Sequence, residues 1–268
     1  MAKFFQSLLA AGLTLAVVAS APAVAQADAG LSAALSGAQR SAEDKARDQY
    51  RHPAETLAFF GIKPAMTVVE ISPGEGWYTE ILAPYLRDTG KLVVAPGTRN
   101  GPGRAGLGTI LTKLGSDPKV YDKVEVVDYA PVQGVLGVQP GTADMVVLFR
   151  HMHGRIYSNN GPQAMKLYFD ALKPGGILGI EQHRLPENRA RPEKLTGYVK
   201  ESEIIKLAED AGFKFAGKSE INANPKDTAD WPSGVWTLPP TLQLGDKDKD
   251  KYLAVGESDR MTLRFVKP

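Results

Sequence analysis

The chain has 268 residues, 43% of them hydrophobic, enough to bury a full core in one domain or two small ones. Its 32 basic and 30 acidic side chains leave a formal net charge of +2, too balanced for a nucleic-acid or membrane-surface binder. The absence of cysteine excludes a disulfide framework, a thiolate zinc site and a cysteine nucleophile.

The N-terminus reads as an export signal. Lys3 provides a short positive start, "FFQSLLAAGLTLAVVAS" an apolar run, and "APAVAQA" small residues at a cleavage spacing. Ala23-Val24-Ala25 fits best, which predicts a cut after Ala25 and a periplasmic mature protein; Ala25-Gln26-Ala27 is the second choice. The run is shorter than the roughly 20 residues that a span needs, so no stable membrane insertion is expected after cleavage. Residues 26–45, rich in Ala, Ser and Gly, read as a flexible lead-in, loose or partly helical, and residues 46–268 as the folded domain.

Order is expected from "RDQYRHPAETLAFFGIKP" onward. Pro53 suits a first helical turn, Gly61 its stop, and Leu57, Phe59 and Phe60 its apolar face. Short β-rich runs follow at 66–72, 91–96, 123–129, 143–150 and 176–184, with helical patterns between several of them. Strands alternating with helices predict parallel pairing in an α/β layer fold, and near-continuous Val/Ile/Leu runs predict strands covered on both faces. Runs at 213–221 and 260–266 alternate instead and read as an edge hairpin. The long connection between them carries Trp231, Trp236 and four prolines, which predicts an ordered excursion able to roof a pocket.

The chemistry gathers first at "EISPGEGWYTE", where the first strand run ends in Glu70. Gly74 and Gly76 allow a tight turn and close approach to a ligand with no Cβ in the way. The following helix would present free N–H groups, and doubly wound sheets bind ligands beyond the carboxyl ends of their strands. A dinucleotide would bring a pyrophosphate here and ask for a third glycine and a second-strand acid. The chain offers Thr79 and Pro96 at those two places, and bulky Trp77 directly after Gly76. S-adenosylmethionine carries an ammonium, a sulfonium and no phosphate, so an acidic strand end suits it better.

Over roughly residues 45–268 the chain resembles the class I S-adenosylmethionine-dependent methyltransferases, and within them an exported bacterial branch of predicted methyltransferases. "VVEISPGEGWYT" matches the first motif, "VVDYA" resembles the third-strand motif, "ADMVVLFRHMHG" the fourth, and "ALKPGGILGIEQHR" the approach to the fifth strand. The resemblance implies a doubly wound, Rossmann-like, seven-stranded and mostly parallel sheet with an antiparallel C-terminal hairpin. It implies S-adenosyl-L-methionine as cofactor, held by Glu70, Ser72, Gly74, Gly76, Asp128, Tyr129 and Arg150. The departure is the second strand: where the family has an acid for the ribose, this chain has Ala95-Pro96-Gly97-Thr98, with Thr98 or Arg99 as substitutes.

His151, His153 and His183 fall just after the fourth and fifth strands and are the catalytic candidates. His151 and His153 would share a face if the chain stays extended there. Three roles are open: a general base, a metal site with Glu181 as a further ligand, or hydrogen-bonded packing. Arg150, Arg155 and Arg184 could bind an anionic substrate or form ion pairs on the rim. Tyr50 and His52 are lid candidates, His52 alternatively a cap for the helix at Pro53. The expected function is methyl transfer to a small molecule. The alternatives are a non-catalytic periplasmic small-ligand-binding protein that keeps the fold and, behind it, a metal-dependent hydrolase.

Overall fold

The computed structural model describes residues 28–98 and 104–268. The expected signal peptide, its cut after Ala25, and Arg99 lie outside the described residues.

Among the described residues, in chain order, four short helices come first: α1 (Ala29–Ser36), α2 (Ala42–Ala46), α3 (Asp48–Arg51) and α4 (Pro53–Phe60). Then come β1 (Thr67–Ile71), α5 (Thr79–Leu86), β2 (Lys91–Gly97), α6 (Arg104–Ser116), α7 (Pro118–Tyr121), β3 (Glu125–Ala130) and β4 (Val135–Leu136). They are followed by β5 (Ala143–Phe149), α8 (Met152–Tyr157), α9 (Gly161–Ala171), β6 (Leu172–Leu185) and β7 (Val199–Lys200). The chain closes with α10 (Glu201–Asp210), β8 (Lys214–Ser219), α11 (Lys249–Val255) and β9 (Arg260–Val266). Among the described residues no helix is long and apolar enough to cross a membrane.

The sheet runs β4-β3-β2-β1-β5-β6-β9-β8, with β7 paired to β6. Setting aside the two-residue strands β4 and β7 leaves seven strands of the nine, in a Rossmann-like order. The pairs from β3 through β6 are parallel, while β9 runs antiparallel to both β6 and β8. That is the expected sheet, with one correction to the hairpin. Only β8 lies at the edge; β9 is bonded on both sides, and Arg260, Met261, Thr262 and Leu263 are therefore buried in succession instead of alternating.

Alternate side chains of the central strands feed two cores on opposite faces. Val69, Ile71, Val146 and Leu148 enter one, while Val68, Met145, Val147 and Phe149 enter the other. β1 lies between β2 and β5, where the chain order reverses, so the crevice at these carboxyl ends is the switch point where open α/β sheets bind ligands.

The lead-in is partly helical, with one correction to its looseness: from residue 28 onward it is ordered and packed. Pro84 inside α5 has no N–H, which leaves the Glu80 carbonyl one turn earlier without its helical donor. Gln39 supplies the missing bond, its Nε2 donating to Glu80 O at 3.0 Å and to Ala34 O at 2.8 Å. Tyr85 donates to Asp28 at 2.6 Å, Trp77 donates to the Asp44 carbonyl at 3.2 Å, and Leu31 and Ala34 are buried against the same helix. The Ala/Ser/Gly composition suggested looseness because the partners that order this segment lie elsewhere in the chain, in α3, in Trp77 and in α5.

Candidate active site

Two residues mark the crevice by their backbones. Ser72, just after β1, has φ 51°, and Arg150, just after β5, has φ 61°. Such left-handed angles are costly for residues with a Cβ and cluster at functional sites. Each is held from the neighbouring strand: Ser72 N–H donates to Ala95 O at 3.0 Å, and Arg150 N–H to Glu181 O at 2.7 Å.

The two glycines of the turn have different work. A Cβ on Gly74 would meet only His151 Nε2, at 3.8 Å, so this face is open to a ligand. A Cβ on Gly76 would stand 2.7 Å from Lys113 Cδ and 3.0 Å from Ile110 Cδ1, because α6 packs there. Gly76 is a packing requirement and does not face the crevice. Trp77 is likewise buried, between the guanidinium groups of Arg40 and Arg51 at 4.9 and 4.6 Å from its ring.

Glu70 is 1% exposed and lies beneath the crevice floor. Thr79 Oγ1 donates to its Oε2 at 2.6 Å, which gives the threonine at the third-glycine position its purpose. Burial pushes this carboxyl up to about 7, against the pull of Thr79, Arg150 and Lys113. It is therefore not the free negative charge beside the turn that the sequence suggests.

One cavity, of about 320 Å³, opens beyond β1, β2 and β3. Its walls include Ser72, Gly97, Tyr129, Gln133, Arg155 and Asn160, and no acidic side chain among the described residues lines it. The Tyr129 hydroxyl pairs with that of Tyr168, the Arg155 guanidinium lies 5.7 Å from the Tyr129 ring, and the buried Asn160 Oδ1 has no partner among the described residues. Asp128 points the other way along β3 and is exposed outside this cavity; Thr98 is half-buried and also outside it.

A second cavity, of about 330 Å³, opens beyond β5 and β6, and all three histidines line it. The chain is not extended at His151: the left-handed turn at Arg150 starts α8 at Met152. The rings still converge, with centroids 6.3 Å apart for His151–His153 and 5.9 Å for His153–His183. Trp236 packs edge-on against His153 at 5.9 Å, as a roof, whereas Trp231 packs away on Tyr252.

The hydrogen bonds assign the tautomer of His153. Gln182 Oε1 accepts from the His153 backbone N–H at 3.3 Å, and its Nε2 donates to Gly197 O at 2.9 Å, which fixes the amide. The same Nε2 lies 3.2 Å from His153 Nδ1, so Nδ1 accepts and Nε2 carries the proton into the cavity. His183 Nδ1 shares a 2.6 Å hydrogen bond with Ser258 Oγ. Burial lowers His153 to about 4 and His183 well below the ordinary histidine value; His151, at the mouth, is lowered by desolvation of its ring, then by His153 and Arg150. All three are neutral at pH 7.

Glu181 is no metal ligand here. It pairs with Arg150 and Arg260, each at 3.1 Å, and among the described residues no three His, Asp or Glu side chains gather to hold a metal. Arg260 continues to Glu257 at 2.8 Å, which Arg51 and Arg47 also reach, at 3.0 and 2.8 Å. Arg184 stays on the rim, paired with Asp259 and Glu220, and Arg155 belongs to the first cavity. Tyr50 and His52 line a separate space of about 200 Å³, and the His52 side chain caps nothing. Arg51, between them, is the residue that α3 turns into the second cavity, together with Glu257 and Ser258 from the far end of the chain. Nothing local in the sequence marks these three.

This strand order with its crevice is the fold of the class I S-adenosylmethionine-dependent methyltransferases. A SAM-dependent methyltransferase from Aquifex aeolicus aligns at TM-score 0.58 and 16% identity, over 83% of this chain and 93% of its own. The [4+2]-cyclase SpnF aligns at 0.61 and 14%, over 87% and 85%. The glycopeptide N-methyltransferase MtfA, solved with S-adenosyl-L-homocysteine, aligns at 0.51 and 14%, over 82% and 90%. The chain matches no protein-family model and no curated protein sequence. At these identities the likeness is one of fold, and a cyclase among the matches shows that the fold hosts more than one reaction.

Proposed function

We propose that the protein is an S-adenosylmethionine-dependent methyltransferase with a small-molecule acceptor. The observation that carries this reading is the pair of cavities of similar size at the switch point, one lined by Ser72 just after β1 and the other by His151, which Gly74 faces. The cavity beyond β1–β3 suits the adenosine part, with the Tyr129 ring as an apolar wall and Ser72, Gln133 and Asn160 as polar partners in place of the missing acid. Gly74 would let the amino-acid part cross to the other side. Bound there, the cofactor supplies a methyl group activated on a sulfonium.

The residues of the second cavity hold the acceptor and handle its proton. With Nε2 protonated, His153 is a hydrogen-bond donor at pH 7 and orients an acceptor oxygen. His151, whose ring makes no hydrogen bond among the described residues and whose Nε2 faces Gly74, is the general base for an O–H or N–H acceptor. Catalysis rests mainly on alignment between the two cavities. The N-terminal apolar segment would export the protein, and the N-terminal mass of an exported copy tests the cut after Ala25.

Calorimetry with S-adenosylmethionine and S-adenosylhomocysteine tests the central claim, and no binding at about millimolar ligand removes it. A second reading, a binding protein without catalysis, is favoured by the lack of a carboxylate in the first cavity; cofactor binding with no turnover on any acceptor would select it.

A further inference from the structure

We infer that the methyl acceptor carries a carboxylate, which Arg51 and Arg150 hold in the cavity beyond β5 and β6. The inference rests on the methyl-transfer reading and names its substrate class.

The charges on this wall do not balance. Four guanidinium groups, those of Arg47, Arg51, Arg150 and Arg260, share the two carboxylates of Glu181 and Glu257, which are 0% and 4% exposed. Arg260, 2% exposed, spans both acids. Arg47 is 22% exposed and lies off this wall, so water screens it. Arg51 and Arg150 are the two guanidiniums that face the cavity, whose one acidic wall residue, among those described, is Glu257. The imidazoles are neutral and add no charge. A guanidinium partly withdrawn from water favours an anion beside it.

The unsatisfied donors point the same way. Arg51 commits Nε to Glu257, and neither of its Nη atoms makes a hydrogen bond among the described residues. Arg150 commits Nη1 to Glu181, while its Nε and Nη2 make none. Both side chains line the cavity, and His153 adds its Nε2–H. A wall of donors asks for a ligand of acceptors, and a planar guanidinium edge matches a carboxylate with two parallel bonds. Trp236, Val235 and Pro239 supply an apolar surface for the rest of the molecule, and about 330 Å³ limits it to a small one. A carboxylate held by two guanidiniums is a poor nucleophile, so it is the handle and the methylated atom lies elsewhere on the acceptor.

The carboxylate could also be the cofactor's own, and the experiment separates the two sources. The protein saturated with S-adenosylhomocysteine is titrated calorimetrically with benzoate, glutarate and citrate, and with benzamide and glutaramide as neutral controls. At least one acid should bind, with its amide weaker by about tenfold or more. Arg51→Gln and Arg150→Gln should each weaken that acid by about tenfold, and Arg51→Gln should leave S-adenosylhomocysteine and 5′-methylthioadenosine binding as before. If no acid binds at about 10 mM, or amides bind as well as acids, the inference is overturned. It is also overturned if acids compete with S-adenosylhomocysteine and Arg51→Gln weakens that ligand but not 5′-methylthioadenosine, which lacks the amino-acid end. Acid binding in a protein that refuses S-adenosylhomocysteine would keep the carboxylate site and end the methyl-transfer reading instead.

Discussion

Gly74 and His151 face each other across the crevice, with a Cβ on the glycine placed 3.8 Å from His151 Nε2. That is ordinary contact, so Gly74→Ala should cost only the strain of φ 61°, about 1 kcal/mol. Its main effect should be on ligand approach. Gly76→Ala adds contacts of 2.7 and 3.0 Å with Lys113 and Ile110 to its strain. Thermal melts should show the larger loss for Gly76→Ala, and calorimetry with S-adenosylhomocysteine the larger loss for Gly74→Ala. The reverse order would mean that Gly76 faces the ligand.

Glu70 and His153 tilt the stability profile in opposite directions with pH. Glu70 is raised from 4.5 to about 7, so its contribution is fully present below pH 4.5 and lost as pH rises through 7. His153 is lowered from 6.5 to about 4, so its contribution is fully present above pH 6.5 and lost as pH falls through 4. Each slope is up to about 1.4 kcal/mol per pH unit. Glu70→Gln, which can still accept from Thr79, should unfold less readily than wild type at pH 8 and lose stability more steeply on acidification. His153→Gln should lose its acid-side slope. Denaturant titrations between pH 4 and 8 read both, and parallel profiles for the two variants would contradict the assignments.

His151→Ala should lower kcat by about 10²–10⁴ for an acceptor that must lose a proton, with S-adenosylhomocysteine binding unchanged. His153→Ala should act mainly through KM, because its proton orients the acceptor. Since desolvation holds both imidazoles neutral, kcat should stay level as pH falls through about 6.5, the ordinary histidine value. A drop centred at that pH would contradict the neutral imidazoles, and kcat losses confined to His153→Ala would exchange the two roles.

Gln39→Ala removes the donor that serves the carbonyls of Ala34 and Glu80. With Pro84 in place nothing within α5 can take over, so the cost should be about 1–3 kcal/mol by chemical denaturation. In a Gln39→Ala/Pro84→Ala double variant the helix regains its own bond and part of the loss should return. If the double variant is no more stable than Gln39→Ala, the link between the lead-in and the helix break is wrong.

Some of this was legible before any coordinates. The parallel strands follow from "TVVEI" and "ADMVVLF", whose side chains are apolar on both faces because helices cover both. Pro53 and Gly61 bound α4 as their backbone chemistry requires. The three histidines converge because β5 and β6 are neighbours. Other readings failed where one residue's role depends on a distant one. Asp128 looks like a ligand residue by its place near the end of β3, yet the strand's alternation turns it outward and Tyr129 inward. Gly76 looks like part of a ligand loop, and only the arrival of α6 makes it a packing glycine.

The sequence by itself determined the layer architecture, the position of the ligand turn and which residues could carry chemistry, since periodicity and turn preference act over a few neighbouring residues. The tertiary structure decided charge and protonation. Arg51 and Glu257 meet across 206 residues of chain, Glu70 titrates high because it is sealed under the crevice, and His153 is a donor because Gln182 is held by Gly197. Desolvation and hydrogen-bond direction depend on what packs around a group from every side, and a linear sequence carries no local trace of that packing.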